Sequence, residues 1–258
     1  MKQGFLIVNH GTLDNEVKDK TIGEFALSVG DRFEDAVVSF AYTDQDVRRK
    51  LREETGEKVR NLKAEILNMK EKGVTDLAIV STDIHDGEHY RRLKEETVGL
   101  AALFKTVSIS VPLIYTDKDF ELVARAMHGA FSEQVGDDIL ILVTAGHKTD
   151  GAEELIGFEK SLKKHVKNGY VATLHGERRL YKVIKELKQS GIEAGRIILV
   201  PMEFMAGKSV ENDVSQEYTG LVQRLKDEGY TVEEAFKGLA EYDEFQRIYL
   251  KHLYDSMR

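Results

Sequence analysis

Histidines stand at or just beyond the ends of several predicted strands, where an imidazole could bind a metal ion. Five of the eight histidines occupy such positions: His10, His85, His89, His147 and His175. Imidazole is the usual nitrogen ligand for divalent cobalt, nickel, iron and zinc, and the chain has no cysteine to supply a thiolate. Any one of these residues alone is better explained as structural, but the five together favour a transition-metal site.

Carboxylates follow the same strand ends and could complete such a site. They are Asp14, Asp44, Asp46, Asp83, Asp86, Glu88, Asp150, Glu177, Glu203, Glu211 and Asp213. The other three histidines, His128, His165 and His252, fall within helical patterns and are expected to be packed or solvated.

Sequence motifs for other chemistries are missing. The chain has no G-x-x-x-x-G-K-[ST] and no G-x-G-x-x-G, so a phosphate-binding loop for ATP or a dinucleotide is not supported. It also has no G-x-S-x-G nucleophile elbow and no cysteine nucleophile. We therefore expect no nucleotide cofactor.

The elements that must position these residues follow an α/β pattern. Continuous apolar runs typical of parallel strands buried on both faces span residues 4–10, 36–42, 76–82, 106–112, 138–144, 169–175 and 196–202. Helical patterns lie between them, for example over residues 46–73 and 177–191, the second ending at Gly191. This alternation predicts parallel sheets flanked by helices.

An internal repeat divides the chain into two similar halves. "IVNHGT" at residues 7–12 resembles "LVTAGHKT" at 142–149, and residues 73–89 resemble residues 191–209. We expect an N-terminal α/β lobe over residues 1–130 and a C-terminal α/β lobe over residues 131–258. Ligands of such open sheets bind at the carboxyl ends of the strands, so a cleft between the lobes is the expected site.

Composition limits the partners. The net charge of −8 argues against non-specific binding of nucleic acid, which needs a basic surface. No run of about 18 apolar residues predicts a membrane span, and no secretory signal pattern opens the chain, so we expect a cytoplasmic protein. A homo-oligomer is compatible with the sequence.

Several segments together resemble the anaerobic sirohydrochlorin cobaltochelatases of cobalamin biosynthesis, which belong to the class II tetrapyrrole chelatases. The resemblance rests on "LIVNHGT", "AYTDQDVRRKL", "DGEHYRRL", "SVPLIYTDKDFELVARAM", "LVPMEFMAGKSVENDV" and "FKGLAEYDEFQRIYLKHL", in the family's order along nearly the whole chain. It implies two α/β lobes around a cleft and ATP-independent insertion of a divalent metal ion, Co²⁺ by default, into a tetrapyrrole such as sirohydrochlorin.

The resemblance also implies metal ligands, and this chain departs from them in the second lobe. The family's two histidines and glutamate there correspond to His147 or its neighbour Gly146, to His175 with Glu177 nearby, and to Ser209. Smaller relatives keep their ligands on a His-Gly strand end and a Gly-x-His turn, which match His10 and His89. Asp44 or Asp46 then corresponds to the glutamate. The hypothesis is a site moved to the first lobe or shared across the cleft, with His10, His89, His147 and His175 as metal ligands.

The reaction must also remove two protons from the macrocycle and hold its carboxylates. We expect His147 or His10 to accept protons and Asp44 or Glu177 to relay them to water. The arginines expected to bind the macrocycle's carboxylates are Arg48, Arg49, Arg91, Arg92, Arg178 and Arg179. Two alternatives stay open: a non-catalytic carrier of metal or tetrapyrrole, and a chelatase for Ni²⁺, Fe²⁺ or another macrocycle.

Overall fold

The chain folds into two parallel sheets flanked by helices, as the sequence predicts. The computed structural model describes residues 1–146, 152–176, 178–206 and 213–258, without the side chains of residues 152 and 213–217. The first sheet contains β1 (Gln3–Asn9), β2 (Val37–Tyr42), β3 (Asp76–Ser81) and β4 (Thr106–Ile109). The second sheet contains β5 (Ile139–Thr144), β6 (Gly169–Thr173), β7 (Gly195–Pro201) and β8 (Tyr230–Glu234).

The two sheets have the same topology, which confirms the repeat. Their strand orders are β2-β1-β3-β4 and β6-β5-β7-β8, and every pairing is parallel. β1 and β5 are central strands of their sheets. Both faces of each strand are covered, which explains why their apolar runs are unbroken. The sequence did not predict β8: this edge strand, "YTVEE", is mostly polar and exposed, so it lacks the apolar run of a central strand.

Ten helices surround the sheets in the described part of the chain. They are α1 (Asn15–Lys18), α2 (Glu24–Gly30), α3 (Gln45–Glu54), α4 (Leu62–Glu71), α5 (Glu88–Val98), α6 (Asp117–Val135), α7 (Ala152–His165), α8 (Leu180–Gln189), α9 (Asp213–Asp227) and α10 (Asp243–Ser256). A π-helical turn precedes α2 at Asp19–Gly23, and 3-10 turns lie at Ala101–Leu103 and Leu239–Glu241. Within the described ranges, no helix is long and apolar enough to cross a membrane.

Two predicted helical segments differ from the structure. Residues 46–73 form α3 and α4 instead of one helix, because the chain turns at Gly56, where φ is +76°, and the Asn61 side chain then caps α4. The segment predicted over 177–191 is helical only from Leu180. Gly191 has a φ of +77°, which confirms the left-handed residue predicted after this helix.

The last helix of each half packs on the other half. α6 lies against α7 of the second half, where the ring of Phe120 covers the Cα of Gly157. α10 lies against β3 and β4 of the first half, and Ser256 of α10 hydrogen-bonds Ser108 at 3.3 Å. The division after residue 130 falls inside α6 and stays a prediction. One hydrophobic cluster includes residues of both sheets, and each sheet also belongs to a separate cluster of its own.

The three helical histidines lie away from the sheet edge, as expected. His252 of α10 is buried and its Nε2 contacts Asp119 Oδ1 of α6 at 3.2 Å. His165 contacts Glu121 at 2.8 Å and packs edge-on against His128. These contacts account for the three residues as structural.

Candidate active site

A cavity of about 290 Å³ lies between the carboxyl edges of the two sheets. Its lining comes from the segments that follow β1, β2, β3, β5, β6 and β7, together with Tyr218 and Phe236. Central strands of both sheets therefore end at one shared space, which is the cleft that the parallel topology predicts.

Backbone hydrogen bonds relate the two sides of this cavity residue by residue. The carbonyl of His10, after β1, accepts from the amide of Asp44, after β2, at 3.0 Å. In the second sheet the carbonyl of Ala145 accepts from the amide of His175 at 2.9 Å. Ala145 thus occupies the position of His10, and His175 occupies that of Asp44.

The same relation holds after the next central strand. The carbonyl of Asp83, which follows β3, accepts from the amide of Leu113 at 3.0 Å. The carbonyl of Glu203, which follows β7, accepts from the amide of Leu239 at 2.8 Å. Asp83 and Glu203 are therefore equivalent positions on opposite sides of the cavity, and both line it.

Three side chains of the first lobe come together at the cavity, and we call His10, Asp44 and His89 the first-lobe cluster. His10 Nε2 lies 3.0 Å from Asp44 Oδ2, and the rings of His10 and His89 stack with centroids 5.3 Å apart. These residues come from the ends of β1 and β2 and from the first turn of α5. The sequence predicted His10 and His89 as metal ligands with Asp44 or Asp46 beside them, and that role stays a prediction.

Local structure fixes the orientation of the cluster. Gly11 has a φ of +122°, and a Cβ there would lie 2.9 Å from the ring of Tyr42, so only glycine allows the chain to turn directly after His10. Asp44 caps α3 with Oδ1, which accepts from the amides of Asp46 and Val47 at 2.6 and 3.0 Å. Its other oxygen, Oδ2, is thereby directed at His10.

Desolvation changes the pKa values of two first-lobe residues that line the cavity, His10 and Asp83. Burial of the imidazole lowers the pKa of His10, although the negative charges of Asp44 and Asp83 act to raise it. Burial raises the pKa of Asp83, although the Ser81 hydroxyl donates to this carboxylate at 2.6 Å. A lowered pKa keeps His10 neutral, which is the form in which imidazole binds a metal ion.

Glu203 lies on the opposite side of the cavity in a desolvated position. Its Oε1 accepts hydrogen bonds from the Thr144 hydroxyl and the Ala145 amide, both at 2.9 Å. Desolvation outweighs these two bonds and raises the pKa of Glu203 to about 6, with a further contribution from the nearby Asp83 carboxylate.

Apolar residues make up much of the remaining second-lobe side, and we call Leu174, Phe204, Met205, Ala206 and Phe236 the apolar wall. All five line the cavity, and the Phe236 side chain is 42% exposed. Phe236 also packs edge-on against Tyr218 with ring centroids 5.4 Å apart. Such a surface suits one face of a flat, conjugated ligand.

Comparison with known proteins decides the family. The family model described as Cobalt chelatase (CbiK) matches residues 3–258. This chain belongs to the cobalt chelatase family. It is 25% identical over 259 residues to sirohydrochlorin cobaltochelatase CbiKC of Nitratidesulfovibrio vulgaris, covering 98% of this chain and 89% of that one. It is 20% identical over 258 residues to the sirohydrochlorin cobaltochelatase of Salmonella typhimurium, covering 100% and 97%.

Solved structures support the same fold. The sirohydrochlorin chelatase SirB from Bacillus subtilis subspecies spizizenii, in complex with cobalt, matches with a TM-score of 0.66 at 14% identity. That match covers 99% of this chain and 95% of the SirB chain. The resemblance seen in the sequence and the predicted two-lobed α/β fold are both confirmed.

The second-lobe ligands expected of a cobalt chelatase are not assembled among the described residues. His175 is exposed and does not line the cavity, while His147, Glu177 and Ser209 lie outside the residues that the structure describes. Over the described ranges, no group of three or more histidines and carboxylates is arranged to hold a metal ion. In the first lobe, the two stacked imidazole rings and the Asp44 carboxylate lie near one another without forming a preassembled metal site.

Among the arginines predicted to bind the substrate, Arg178 differs most clearly from the prediction. Its guanidinium contacts Glu159 at 2.6 and 2.7 Å and also pairs with Glu186, and its side chain is only 12% exposed. Both carboxylates raise its pKa, so this is a structural ion pair between α7, α8 and the end of β6. Arg178 has no free face for a substrate carboxylate.

The other predicted arginines also lie outside the cavity lining in the described structure. Arg48 donates to the carbonyls of Tyr42 and Asp44 at 2.6 and 3.0 Å, so it holds the end of β2. Arg49 pairs with Asp46 and Arg92 with Glu96 on their own helices. Arg91 and Arg179 are exposed at the surface.

Asp83 and Glu203 are among the strand-end carboxylates that the sequence offered for the site, but the sequence did not predict that they face each other across the cavity. Both follow a buried strand of the repeat at equivalent positions, and alignment of the two halves places one carboxylate over the other. This alignment of two carboxylates could have indicated the acidic pair from the sequence, because most other carboxylates near strand ends of the first half have no acidic counterpart in the second half.

Proposed function

We propose that this chain inserts Co²⁺ into sirohydrochlorin without ATP. Family membership supports the reaction class, and the two curated relatives described above are named sirohydrochlorin cobaltochelatases. The observation that carries the assignment of the site is the meeting of His10, Asp44 and His89, from three separate elements, at one side of the shared cavity.

The two sides of the cavity suggest a division of roles. The first-lobe cluster would take the ion from water, because neutral imidazoles and a carboxylate replace the ligands of a hydrated divalent ion. The apolar wall would hold the flat macrocycle and exclude water from one of its faces. Proton and metal compete for the same imidazole lone pair, so metal uptake is expected to fall as the pH drops.

The predicted proton acceptor, His147 or His10, and the predicted relay, Asp44 or Glu177, stay predictions, as does His175 as a metal ligand facing the cluster. A cytoplasmic location and assembly into a homo-oligomer also stay predictions from the sequence.

An anaerobic assay with purified protein, sirohydrochlorin and Co²⁺ tests the proposal. Catalysed insertion shifts the visible absorption bands faster than the reaction without protein, with many turnovers per chain. A change that stops at one equivalent would indicate a carrier instead of an enzyme. Faster insertion of Ni²⁺ or Fe²⁺ than of Co²⁺ would move the assignment to a chelatase for another metal.

A further inference from the structure

Glu203 belongs to neither the first-lobe cluster nor the apolar wall, yet it lines the cavity between them. We propose that Glu203 is a catalytic residue that accepts one pyrrole proton while the macrocycle takes up the metal ion. This inference rests on the proposed chelatase function and assigns a role to a second-lobe residue that is not a metal ligand.

The geometry leaves one oxygen of Glu203 for a ligand. Thr144 and Ala145, at the end of β5, hold Oε1 with two hydrogen bonds of 2.9 Å. Within the described residues, Oε2 accepts no hydrogen bond, and no lysine or arginine pairs with the carboxylate. A fixed carboxylate with one unused oxygen in a cavity is suitably arranged to accept a proton from a bound substrate.

The charged and titratable groups around Glu203 favour proton uptake. Asp83 faces it from the segment after β3, and the buried phenol of Tyr249 faces it from α10. The Asp83 carboxylate can only add negative charge next to Glu203. Burial raises the pKa of Tyr249 well above 10, so its phenol is neutral at neutral pH. Neither residue supplies a positive charge that would keep Glu203 ionised. The resulting pKa of about 6 lets Glu203 accept a proton at neutral pH and release it again afterwards.

Metal insertion breaks two pyrrole N–H bonds, and their nitrogens form bonds to the metal ion. One proton forms an O–H bond at Glu203 Oε2, and the other passes to water in the open cleft. Glu203 then returns its proton to water after the metallated product leaves, so no oxidant, reductant or nucleotide is consumed.

The test compares the wild-type protein with Glu203→Gln, which keeps the size of the side chain and an oxygen for Thr144 and Ala145. The expected result is a fall in kcat of at least ~100-fold, with KM for sirohydrochlorin and Co²⁺ changed by less than about twofold. Wild-type kcat should fall as the pH drops through about 6, because Glu203 must be ionised to accept the proton. That acidic limb should be absent from the residual activity of Glu203→Gln.

Two further variants support the comparison. Glu193→Gln changes an exposed glutamate far from the cavity lining and should keep wild-type kcat. Glu203→Asp keeps a carboxylate and should recover part of the lost kcat, provided that circular dichroism shows the wild-type fold. Folded Glu203→Gln with kcat within twofold of the wild type, or with only its Co²⁺ affinity lowered, would overturn the proposal. A wild-type protein that does not accelerate insertion would instead contradict the proposed function itself.

Discussion

The two edges of the cavity have the same backbone hydrogen bonds but carry different side chains. At the first sheet the positions after β1, β2 and β3 hold His10, Asp44 and Asp83. At the second sheet the equivalent positions hold Ala145, His175 and Glu203. Two residues beyond Asp83 and Glu203 the contrast continues, with His85 in the first lobe and Met205 in the second.

This difference shows that the fold and the chemistry are separable in this molecule. Hydrogen bonds between strand ends are the same in both lobes, so the backbone fixes where side chains stand. Polar groups that suit a metal ion collect on one side, and an apolar surface suited to a macrocycle collects on the other. The acidic pair Asp83 and Glu203 is the feature that both sides retain.

Removing the ligands of the first lobe should have the largest effect. His10→Ala with His89→Ala removes both imidazoles of the cluster, so we expect Co²⁺ affinity and insertion rate to fall by more than ~100-fold. Equilibrium binding of Co²⁺, followed by its d–d absorption, measures the affinity directly. If the folded double variant kept wild-type affinity for Co²⁺, the first-lobe cluster would not be the metal site, and the proposed difference between the two lobes would be wrong.

Neutralising Asp44 should have the next largest effect. Asp44→Asn keeps the cap of α3, since asparagine is as good an N-cap as aspartate, but it removes the charge next to His10. We expect a loss of about 10- to 100-fold in Co²⁺ affinity with thermal stability unchanged. Asp46→Asn, on the exposed side of the same helix turn, is the control and should bind Co²⁺ as the wild type does.

Replacing Glu203 should increase stability at neutral pH. Burial raises the pKa of this carboxyl from 4.5 to about 6, so the folded state binds more protons than the unfolded state between these values. Stability contributed by the protonated form is therefore lost as the pH rises through about 6, by about 2 kcal/mol. Urea unfolding of Glu203→Gln should show that gain over the wild type at pH 7.5 and little gain at pH 4.5. An equal change at both pH values would argue against desolvation of this residue.

Truncating the apolar wall should have the smallest effect. Phe236→Ala removes a partly exposed ring, and we expect KM for sirohydrochlorin to rise by about 2- to 10-fold. Co²⁺ affinity should stay at the wild-type value, because the ring lies in the second lobe. Lowered Co²⁺ affinity with an unchanged KM for sirohydrochlorin would contradict the assignment of the macrocycle to the apolar wall.

The sequence predicted what depends on local pattern and parallel topology. Strand ends that meet at one edge of a sheet placed His10 and His89 near each other. The resemblance to smaller chelatases then implied Asp44 or Asp46 beside them. The strands themselves were predictable from buried apolar runs, whereas the polar edge strand β8 was not.

Other features depend on contacts between distant elements. Arg178 resembles a substrate-binding arginine in the sequence, but Glu159 and Glu186 approach it from two helices. The packing of α6 and α10 on opposite halves is likewise a tertiary arrangement that no local pattern encodes. The raised pKa of Glu203 follows from desolvation between the lobes and could not be derived from spacing.

An anomalous difference map from crystals soaked in Co²⁺ tests the division between the lobes most directly. We expect a cobalt peak about 2.1 Å from imidazole nitrogens of His10 and His89, with Asp44 as a neighbour. A peak bound instead by His147 or His175, with none near His10, would contradict it.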